Sequence, residues 1–173
     1  HIEELLNPKY AYLYIDVGGG STELTLYFNQ KVIAAKSFNI GTVRMLLGKD
    51  EKEEWEEMKA WLKRSTIGIH PLNAIGSGGN INKIFKMANK KETKHLTYDK
   101  LKGQYEMLSS YTYEERIERL GLKPDRADVI VPAAKIFLTV MKTADIDKVF
   151  VPQIGLSDGI VHDLYDTFKA KVK

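Results

Sequence analysis

The sequence predicts one α/β domain that has a mixed sheet and a helical insertion. Its hydrophobic patterns follow the order three strands, a helix, a strand, several helices, a strand and a last helix. This order is typical of a sheet with helices packed against it. The length of 173 residues is enough for one sizeable hydrophobic core. No internal repeat and no linker rich in proline or serine divides the chain, so we expect residues 1–173 to form a single domain.

The first three elements are predicted to be the strands of an antiparallel meander. They are rich in β-branched and aromatic side chains, and the second alternates between apolar and polar types. In that second strand we place Leu24 on the apolar side, and Thr22 and Glu23 on the polar side. Each strand turns directly into the next, which requires neighbouring strands to be antiparallel. The three predicted strands cover residues 10–17, 22–28 and 31–38.

Most of the remaining chain is predicted to be helical. Asp50 and Thr112 each precede a Glu by three residues, which is the spacing of a capping box. Asn80 and Ser157 are residue types that cap helices, and each precedes an amphipathic run. A long apolar helix over residues 125–143 is predicted to be interrupted or to restart at Pro132. Two further short strands are expected over residues 71–75 and 148–151, and we expect both to join the sheet in parallel through helical crossovers.

The composition excludes several classes of protein. Hydrophobic residues make up 43% and charged residues 28%, so neither disorder nor a fibrous repeat is expected. The absence of cysteine excludes disulfide scaffolds, thiolate zinc sites and cysteine nucleophiles, and it favours a cytoplasmic location. No apolar run approaches the roughly 20 residues that span a bilayer. The net charge of +3 allows an anionic ligand, but without a basic stripe we predict neither a nucleic-acid nor a membrane partner.

Two predicted strands run into glycine-rich turns. Glycine tolerates positive φ and lets backbone N–H groups converge, so such a turn can form a nest for phosphate oxygens. In the first turn the hydroxyl groups of Ser21 and Thr22 would add donors. The alternative is a purely structural hairpin turn, but two such turns in one chain favour phosphate binding. The candidate residues are Gly18, Gly19, Gly20, Ser21 and Thr22 in the first turn, and Gly76, Ser77, Gly78 and Gly79 in the second.

Familiar nucleotide and hydrolase motifs do not fit these turns. A Walker A loop needs a Lys before Ser or Thr and a helix after it, whereas here the Lys is missing and a strand follows. A dinucleotide fingerprint also needs a helix after the turn. The histidines lack metal-binding spacing, and no serine lies in a Gly-x-Ser-x-Gly elbow.

Two carboxylates are candidates for metal binding and catalysis. Asp16 ends an apolar strand, where a charge is unfavourable unless it is solvated, hydrogen-bonded or bound to a metal. Glu23 follows across the predicted hairpin, so both groups can face one site, and such hard oxygen ligands suit Mg²⁺. Alternatively, Asp16 caps the glycine turn and Glu23 is an exposed strand residue. Arg44 is a candidate substrate contact, although a structural salt bridge fits it equally well.

Several stretches, taken together and in this order, closely resemble the exopolyphosphatase/guanosine pentaphosphate phosphohydrolase (Ppx/GppA) family. They are residues 16–24, 40–44, 75–81, 126–130 and 155–160. The resemblance implies a ribonuclease H-like domain of the actin-like ATPase superfamily. It implies further that residues 18–22 form a phosphate loop and that Asp16 and Glu23 handle Mg²⁺ or the attacking water. The stretch at 155–160 lacks the family's usual arginine and glutamate.

The resemblance also bears on what the chain does. Family members have two such domains with the active site between them, and this chain resembles the second domain alone. The first phosphate loop and the general-base glutamate of the first domain have no counterpart in it. The chain begins at His1 and not at Met, so we expect it to be a piece of a longer protein.

The predicted function is half of a Mg²⁺-dependent phosphoanhydride hydrolase acting on polyphosphate or guanosine penta/tetraphosphate, inactive alone. Its predicted partners are that phosphate substrate, the missing first domain and a second copy of the chain. The alternatives are a non-catalytic phosphate or nucleotide sensor, and half of a sugar or acyl kinase.

Overall fold

The computed structural model describes residues 9–29, 31–88 and 95–152, and a mixed six-stranded sheet lies at its centre. The strands are β1 (Ala11–Val17), β2 (Thr22–Phe28), β3 (Lys31–Phe38), β4 (Leu72–Ser77), β5 (His95–Thr97) and β6 (Lys148–Phe150). Across the sheet they follow the order β3-β2-β1-β4-β6-β5.

The antiparallel meander that the sequence predicted is confirmed. Strand β1 pairs with β2, and β2 pairs with β3, both in the antiparallel sense. In the first pair Asp16 lies directly opposite Glu23. One placement is wrong: Thr22 lies on the buried face with Leu24 and Leu26, because side chains two residues apart share one face of a strand.

The later strands join the sheet in parallel, which was also predicted. Strand β4 runs parallel to β1 and places Ser77 beside Asp16, and β6 runs parallel to β4. The carboxyl ends of β1 and β4 therefore meet at one edge of the sheet, where open α/β sheets bind ligands. Strand β5 was not predicted, because His95–Thr97 contains only one aliphatic residue, Leu96, and offers no apolar run.

Helices of the described ranges connect and cover these strands. They are α1 (Thr42–Leu46), α2 (Lys52–Ser65), α3 (Gly79–Ala88), α4 (Tyr98–Ser110), α5 (Tyr113–Glu118), α6 (Pro124–Ala127) and α7 (Ile130–Thr143). Helix α7 is central, since it contacts α1, α2, α3, α4 and β1. It contributes fully buried side chains, among them Phe137 and Val140, to a core that also contains Leu13 and Ile15 of β1.

The predicted helix boundaries are partly confirmed. Thr112 and Glu115 form the expected capping box before α5. Pro132 lies in the first turn of α7, so the long apolar segment restarts there as expected. The capping box predicted at Asp50 is wrong. Helix α2 begins after Glu51 without a side-chain cap, and Asp50 Oδ2 instead accepts a hydrogen bond from the Trp55 indole N–H at 3.1 Å.

Two further predictions concern membrane-spanning helices and the chain after residue 152. Over residues 9–29, 31–88 and 95–152, no helix has the length and apolar character needed to cross a membrane. The predicted last helix after Ser157, together with the stretch at 155–160, falls outside the described residues.

Candidate phosphate-binding site

The two glycine-rich turns lie side by side at the carboxyl ends of β1 and β4. Their strands are hydrogen-bonded neighbours, with Asp16 beside Ser77. A Cβ atom placed on Gly78 would lie 3.7 Å from Asp16 Oδ1, so the Asp16 carboxylate faces the second turn. The pairing of β1 with β4 therefore brings the two turns together.

The first turn is a tight hairpin, and two of its carbonyl groups accept hydrogen bonds from the start of α1. The Gly18 N–H donates to Ser21 O at 2.9 Å and closes the turn. The Thr42 N–H donates to Gly18 O at 3.0 Å, and the Val43 and Arg44 N–H groups donate to Gly19 O at 2.9 and 3.1 Å. These carbonyls satisfy the first N–H groups of α1, which has no side-chain cap.

This arrangement leaves the donors of the turn for a ligand. The N–H groups of Gly19, Gly20 and Ser21 have no acceptor within the part of the chain that the structure describes. Backbone N–H groups that have no protein acceptor are available to the oxygens of an anion. The first turn therefore offers three backbone donors to such a ligand.

The expected reason for glycine in this turn is not present. Neither Gly19 nor Gly20 has a positive φ, which was the anticipated requirement. The close approach of two backbones instead requires glycine at Gly41, outside the turn. A Cβ atom on Gly41, before α1, would lie 2.4 Å from Gly19 O and 2.4 Å from the Gly20 carbonyl carbon. Gly41 was missed as a site residue, because its neighbours lie more than 20 positions earlier in the sequence.

The two hydroxyl groups predicted to bind phosphate are already hydrogen-bonded. Thr22 is fully buried, and its Oγ1 donates to Ile40 O at 2.6 Å. A hydroxyl has one hydrogen to donate, so the role predicted for Thr22 as a hydroxyl donor to phosphate is not supported. Ser21 Oγ donates to Glu23 Oε1 at 2.6 Å and so orients that carboxylate.

Asp16 and Glu23 are directly opposed residues of the two hairpin strands. Their side chains therefore share one face of the sheet, and both residues are half-buried. Like charges in such a pair destabilise a sheet. Glu23 Oε1 also accepts a hydrogen bond from Ser37 Oγ at 2.9 Å, and Ser37 is a second residue that sequence reasoning missed. Asp16 accepts no hydrogen bond from a described residue, so its alternative role as a cap of the turn is not supported.

This pair fits Mg²⁺ held jointly with a phosphate ligand. Among residues 9–29, 31–88 and 95–152, no three His, Cys, Asp or Glu side chains converge on a possible metal position. A cage made only of protein ligands is therefore not present in those ranges. Mg²⁺ commonly uses one or two carboxylates together with water and substrate phosphates. The unpartnered Asp16 and the oriented Glu23 match that donor set.

Histidine contributes nothing to this site in the described ranges. His70 is exposed and His95 lies on β5, two strands away from β4. Burial, followed by the charges of Lys148 and Lys100, lowers the pKa of His95 below its usual value. His162 falls outside the described residues.

Arg44, the candidate substrate contact, lies beside the glycine hairpin. Its Nε donates to Gly20 O at 3.0 Å, and it forms no salt bridge with a described residue. With Gly19, Gly20 and Lys49 it lines a groove of about 470 Å³ beside the turn. We call this the hairpin groove. The alternative of a structural salt bridge is therefore not supported for the described residues.

The second turn is shorter than predicted, because β4 continues through Gly76 and Ser77. Gly76 is buried, and a Cβ atom on it would lie 2.9 Å from Phe137 Cε1 and 3.1 Å from Val149 Cγ2. Ser77 Oγ accepts a hydrogen bond from Tyr14 at 2.7 Å. The turn proper is Gly78, which has a φ of +105°. Gly76 and Ser77 thus belong to the packed sheet and not to a loop.

An arginine that sequence reasoning had given no role lies over this second turn. Helix α3 begins at Gly79, so Asn80 is inside the first turn and is not the predicted cap. Arg126 donates from Nη1 to Asn80 Oδ1 at 2.8 Å, and a Cβ atom on Gly79 would lie 2.7 Å from its guanidinium nitrogens. A cation at the positive end of a helix dipole is unfavourable without an anion nearby. Arg126 is therefore a further candidate for contact with a bound phosphate.

Comparisons with known proteins all find members of one family. The sequence model of the Ppx/GppA phosphatase family matches residues 2–168. A guanosine-5'-triphosphate,3'-diphosphate pyrophosphatase of Pseudoalteromonas translucida is 26% identical over 165 residues, which are 88% of this chain and 33% of that protein.

Solved structures show the same fold. The Aquifex aeolicus Ppx/GppA phosphatase (type II variant) superposes with a TM-score of 0.73 at 24% identity, over 92% of this chain and 59% of that one. An exopolyphosphatase from Cytophaga hutchinsonii gives a TM-score of 0.74 at 20% identity, over 91% and 58%. This chain therefore spans between about a third and three fifths of these relatives.

Proposed function

The chain belongs to the Ppx/GppA phosphatase family, and from this premise we propose that it supplies one half of the active site of a phosphoanhydride hydrolase. The family and the ribonuclease H-like, actin-like fold predicted from the sequence are both confirmed. The proposed substrates are polyphosphate and guanosine penta/tetraphosphate, in keeping with the names of the relatives.

One observation carries this proposal more than any other. Three backbone N–H groups that have no acceptor among the described residues lie in the hairpin between β1 and β2, next to two opposed acidic residues. The N–H groups would hold the nonbridging oxygens of a phosphoryl group. Donors that are fixed before the reaction stabilise the charge that develops in the transition state. Phosphoryl transfer depends almost entirely on such positioning and charge stabilisation.

We propose that Asp16 and Glu23 hold Mg²⁺ at this site. When bound, the ion would neutralise charge on the phosphoryl oxygens. Glu23 is oriented for this role by the hydroxyl groups of Ser21 and Ser37, which both donate to Oε1 and leave Oε2 without a bond to a described residue. Asp16 would use its unpartnered carboxylate for the ion or for one of its waters. Arg44 and Arg126 would contact outer phosphates from two sides.

The rest of the active site is proposed to come from another domain of a longer protein. The family resemblance implies a first phosphate loop and a general-base glutamate that have no counterpart in residues 1–173. Loss of a general base lowers rates by about 10² to 10⁴, and loss of positioning lowers them further. Residues 1–173 alone should therefore show little turnover.

The predicted cytoplasmic location and the predicted homodimer remain predictions.

The test is Mg²⁺-dependent phosphate release from polyphosphate and from guanosine penta/tetraphosphate. It should be run on residues 1–173 and on the longer protein that carries them. We expect release by the longer protein from at least one substrate, and a rate at least about 10²-fold lower from the chain alone. Binding without release by the longer protein would instead support a phosphate sensor. Robust phosphate release by the chain alone would show that residues 1–173 contain a complete active site and not half of one.

A further inference from the structure

A row of four polar residues crosses the sheet next to the first glycine turn. Ser37 of β3 lies opposite Glu23 of β2, and Glu23 lies opposite Asp16 of β1. On its other side, Asp16 lies beside Ser77 of β4. Residues that lie opposite each other in neighbouring strands have their side chains on the same face of the sheet. The two carboxylates therefore form the middle of the row, and a serine lies at each end.

The two serines of this row differ in how their hydroxyl groups are hydrogen-bonded. Ser37 Oγ donates its hydrogen to Glu23 Oε1 at 2.9 Å. Ser77 Oγ instead accepts a hydrogen bond, which the phenol hydroxyl of Tyr14 donates at 2.7 Å. A serine hydroxyl has one hydrogen to donate in addition to the lone pairs with which it accepts. The hydrogen of Ser77 Oγ is therefore available, and no described residue accepts it.

Tyr14 determines how this hydroxyl group is oriented. It precedes Asp16 by two positions on β1, so both side chains lie on the face that carries the polar row. Tyr14, Asp16 and Ser77 are all half-buried. Because the Ser77 oxygen accepts from the phenol, the hydrogen of Ser77 must point away from Tyr14. Sequence reasoning gave Tyr14 no role, because an aromatic residue is ordinary within a strand.

The other hydroxyl groups predicted to bind phosphate have no hydrogen left for a ligand. Thr22 Oγ1 donates to Ile40 O, and Ser21 Oγ donates to Glu23 Oε1. Among these three predicted hydroxyl groups, Ser77 alone keeps a hydrogen that no described residue accepts. Phosphate oxygens are strong acceptors, and a hydroxyl hydrogen bond to a charged oxygen is short and strong. Ser77 is therefore the side-chain donor that suits a phosphate at this edge of the sheet.

We propose that Tyr14 is a positioning residue for phosphate binding and that it acts through Ser77. Ser77 Oγ would donate to one oxygen of a phosphate whose other oxygens accept from the three backbone N–H groups of the first turn. This inference rests on the proposed function, since it assumes a phosphate at that turn. Asp16 would keep its carboxylate for the ion, because an ionised carboxylate has no hydrogen to donate to a phosphate.

The alternative is that the hydrogen bond between Tyr14 and Ser77 only joins β1 to β4. In that case, loss of the phenol hydroxyl lowers the stability of the protein and leaves its affinity for phosphate unchanged. A role in positioning instead makes the effect of Tyr14 on phosphate affinity depend on the presence of the Ser77 hydroxyl. A double-mutant cycle separates the two, because residues that act through each other have non-additive effects.

The test uses Tyr14→Phe, Ser77→Ala and the double variant of the longer protein that carries this chain. Ser77→Thr keeps a hydroxyl group and is the rescue variant. Tyr27→Phe is the matched control, since Tyr27 lies on the same face of β2 and has no hydrogen bond to a described residue. Calorimetry measures the affinity for inorganic phosphate with Mg²⁺ present, and the affinity for Mg²⁺ without phosphate. Melting temperatures are recorded for all variants.

We expect Ser77→Ala to bind phosphate about 10-fold more weakly and Tyr14→Phe about 3-fold more weakly. The double variant should be no weaker than Ser77→Ala, and Ser77→Thr and Tyr27→Phe should stay within about 2-fold of the unmodified protein. The affinity for Mg²⁺ should not change. Unchanged phosphate affinity in Tyr14→Phe, additive losses in the double variant, or an equal loss in Tyr27→Phe would each overturn the proposal. Failure of the proposed function is a separate result, namely no phosphate release from any substrate, because this proposal is tested by binding alone.

Discussion

The two glycine-rich stretches, residues 18–20 and 76–79, are similar in sequence, and they contact different parts of the molecule. In the first, the Gly18 and Gly19 carbonyls accept hydrogen bonds from the start of α1, and this approach of two backbones requires glycine at Gly41. In the second, Gly76 makes room for the side chain of Phe137, and Gly79 for that of Arg126. Backbone N–H groups without an acceptor among the described residues occur in both, at Gly19 and Gly20 and again at Gly79, where α3 begins. Glycine content alone therefore does not say what a glycine-rich stretch contacts.

The largest effect on stability is expected from Gly41→Ala. The new Cβ atom would lie 2.4 Å from backbone atoms of both Gly19 and Gly20, and backbone cannot rotate away as a side chain can. We expect unfolding by urea to show a loss of about 3 kcal/mol or more. Phosphate release by the longer protein should fall with it.

Gly103→Ala is the matched control for that substitution. Gly103 lies within α4, is exposed and has nothing within 4 Å of a Cβ atom, so Ala should stabilise the protein by up to about 1 kcal/mol. Equal stabilities of the two variants would show that the hairpin does not pack against α1 as described.

A smaller loss is expected from Gly76→Ala in the second turn. Here the new methyl group would meet side-chain atoms of Phe137, Val149 and Ile81 at 2.9 to 3.2 Å. Overpacking of this kind costs about 1–3 kcal/mol. Phe137→Leu in the same chain should restore part of that loss, with a coupling of about 0.5–3 kcal/mol between contacting sites. Strict additivity in the double-mutant cycle would argue against packing as the reason for glycine at this position.

The smallest effect is expected from Gly20→Ala in the first turn. Gly20 does not have a positive φ, and nothing lies within 4 Å of a Cβ atom built on it. Alanine restricts the unfolded chain, so stability should stay within about 0.5 kcal/mol or rise by up to about 1 kcal/mol. Urea denaturation of Gly20→Ala beside Gly76→Ala compares one substitution in both turns. A loss in the Gly20 variant as large as in the Gly76 variant would contradict the distinction between them.

The sequence could predict the elements whose signals are local. The meander follows from the alternation of apolar and polar residues and from the short connections between strands. Thr112 and Glu115 lie three residues apart, which is the spacing of a capping box. The alternation could also have predicted the burial of Thr22, since Thr22 lies two residues from the apolar Leu24. In contrast, Arg126 meets Asn80 across 46 positions, and Gly41 meets the hairpin across more than 20. Such contacts arise only when the sheet and helices pack, so no local pattern reports them.

We propose that Asp16 serves a bound phosphate and its ion and does not stabilise the fold. Asp16 has no hydrogen bond to a described residue, and it lies opposite Glu23, which carries the same charge. Asp16→Asn keeps the shape of the side chain and removes the charge that a hard cation needs. Asp147→Asn, an exposed position before β6 at the opposite end of the parallel strands, is the matched control.

The most direct measurement records melting temperature and Mg²⁺-dependent phosphate release for these two variants of the longer protein. For Asp16→Asn we predict that release falls by orders of magnitude, because charge on the phosphoryl group is no longer stabilised. Its melting temperature should stay unchanged or rise, since one of two opposed charges is removed. The Asp147 control should change in neither respect. A loss of about 1 kcal/mol of stability, as for other capping side chains, together with near-normal release by Asp16→Asn would contradict the account.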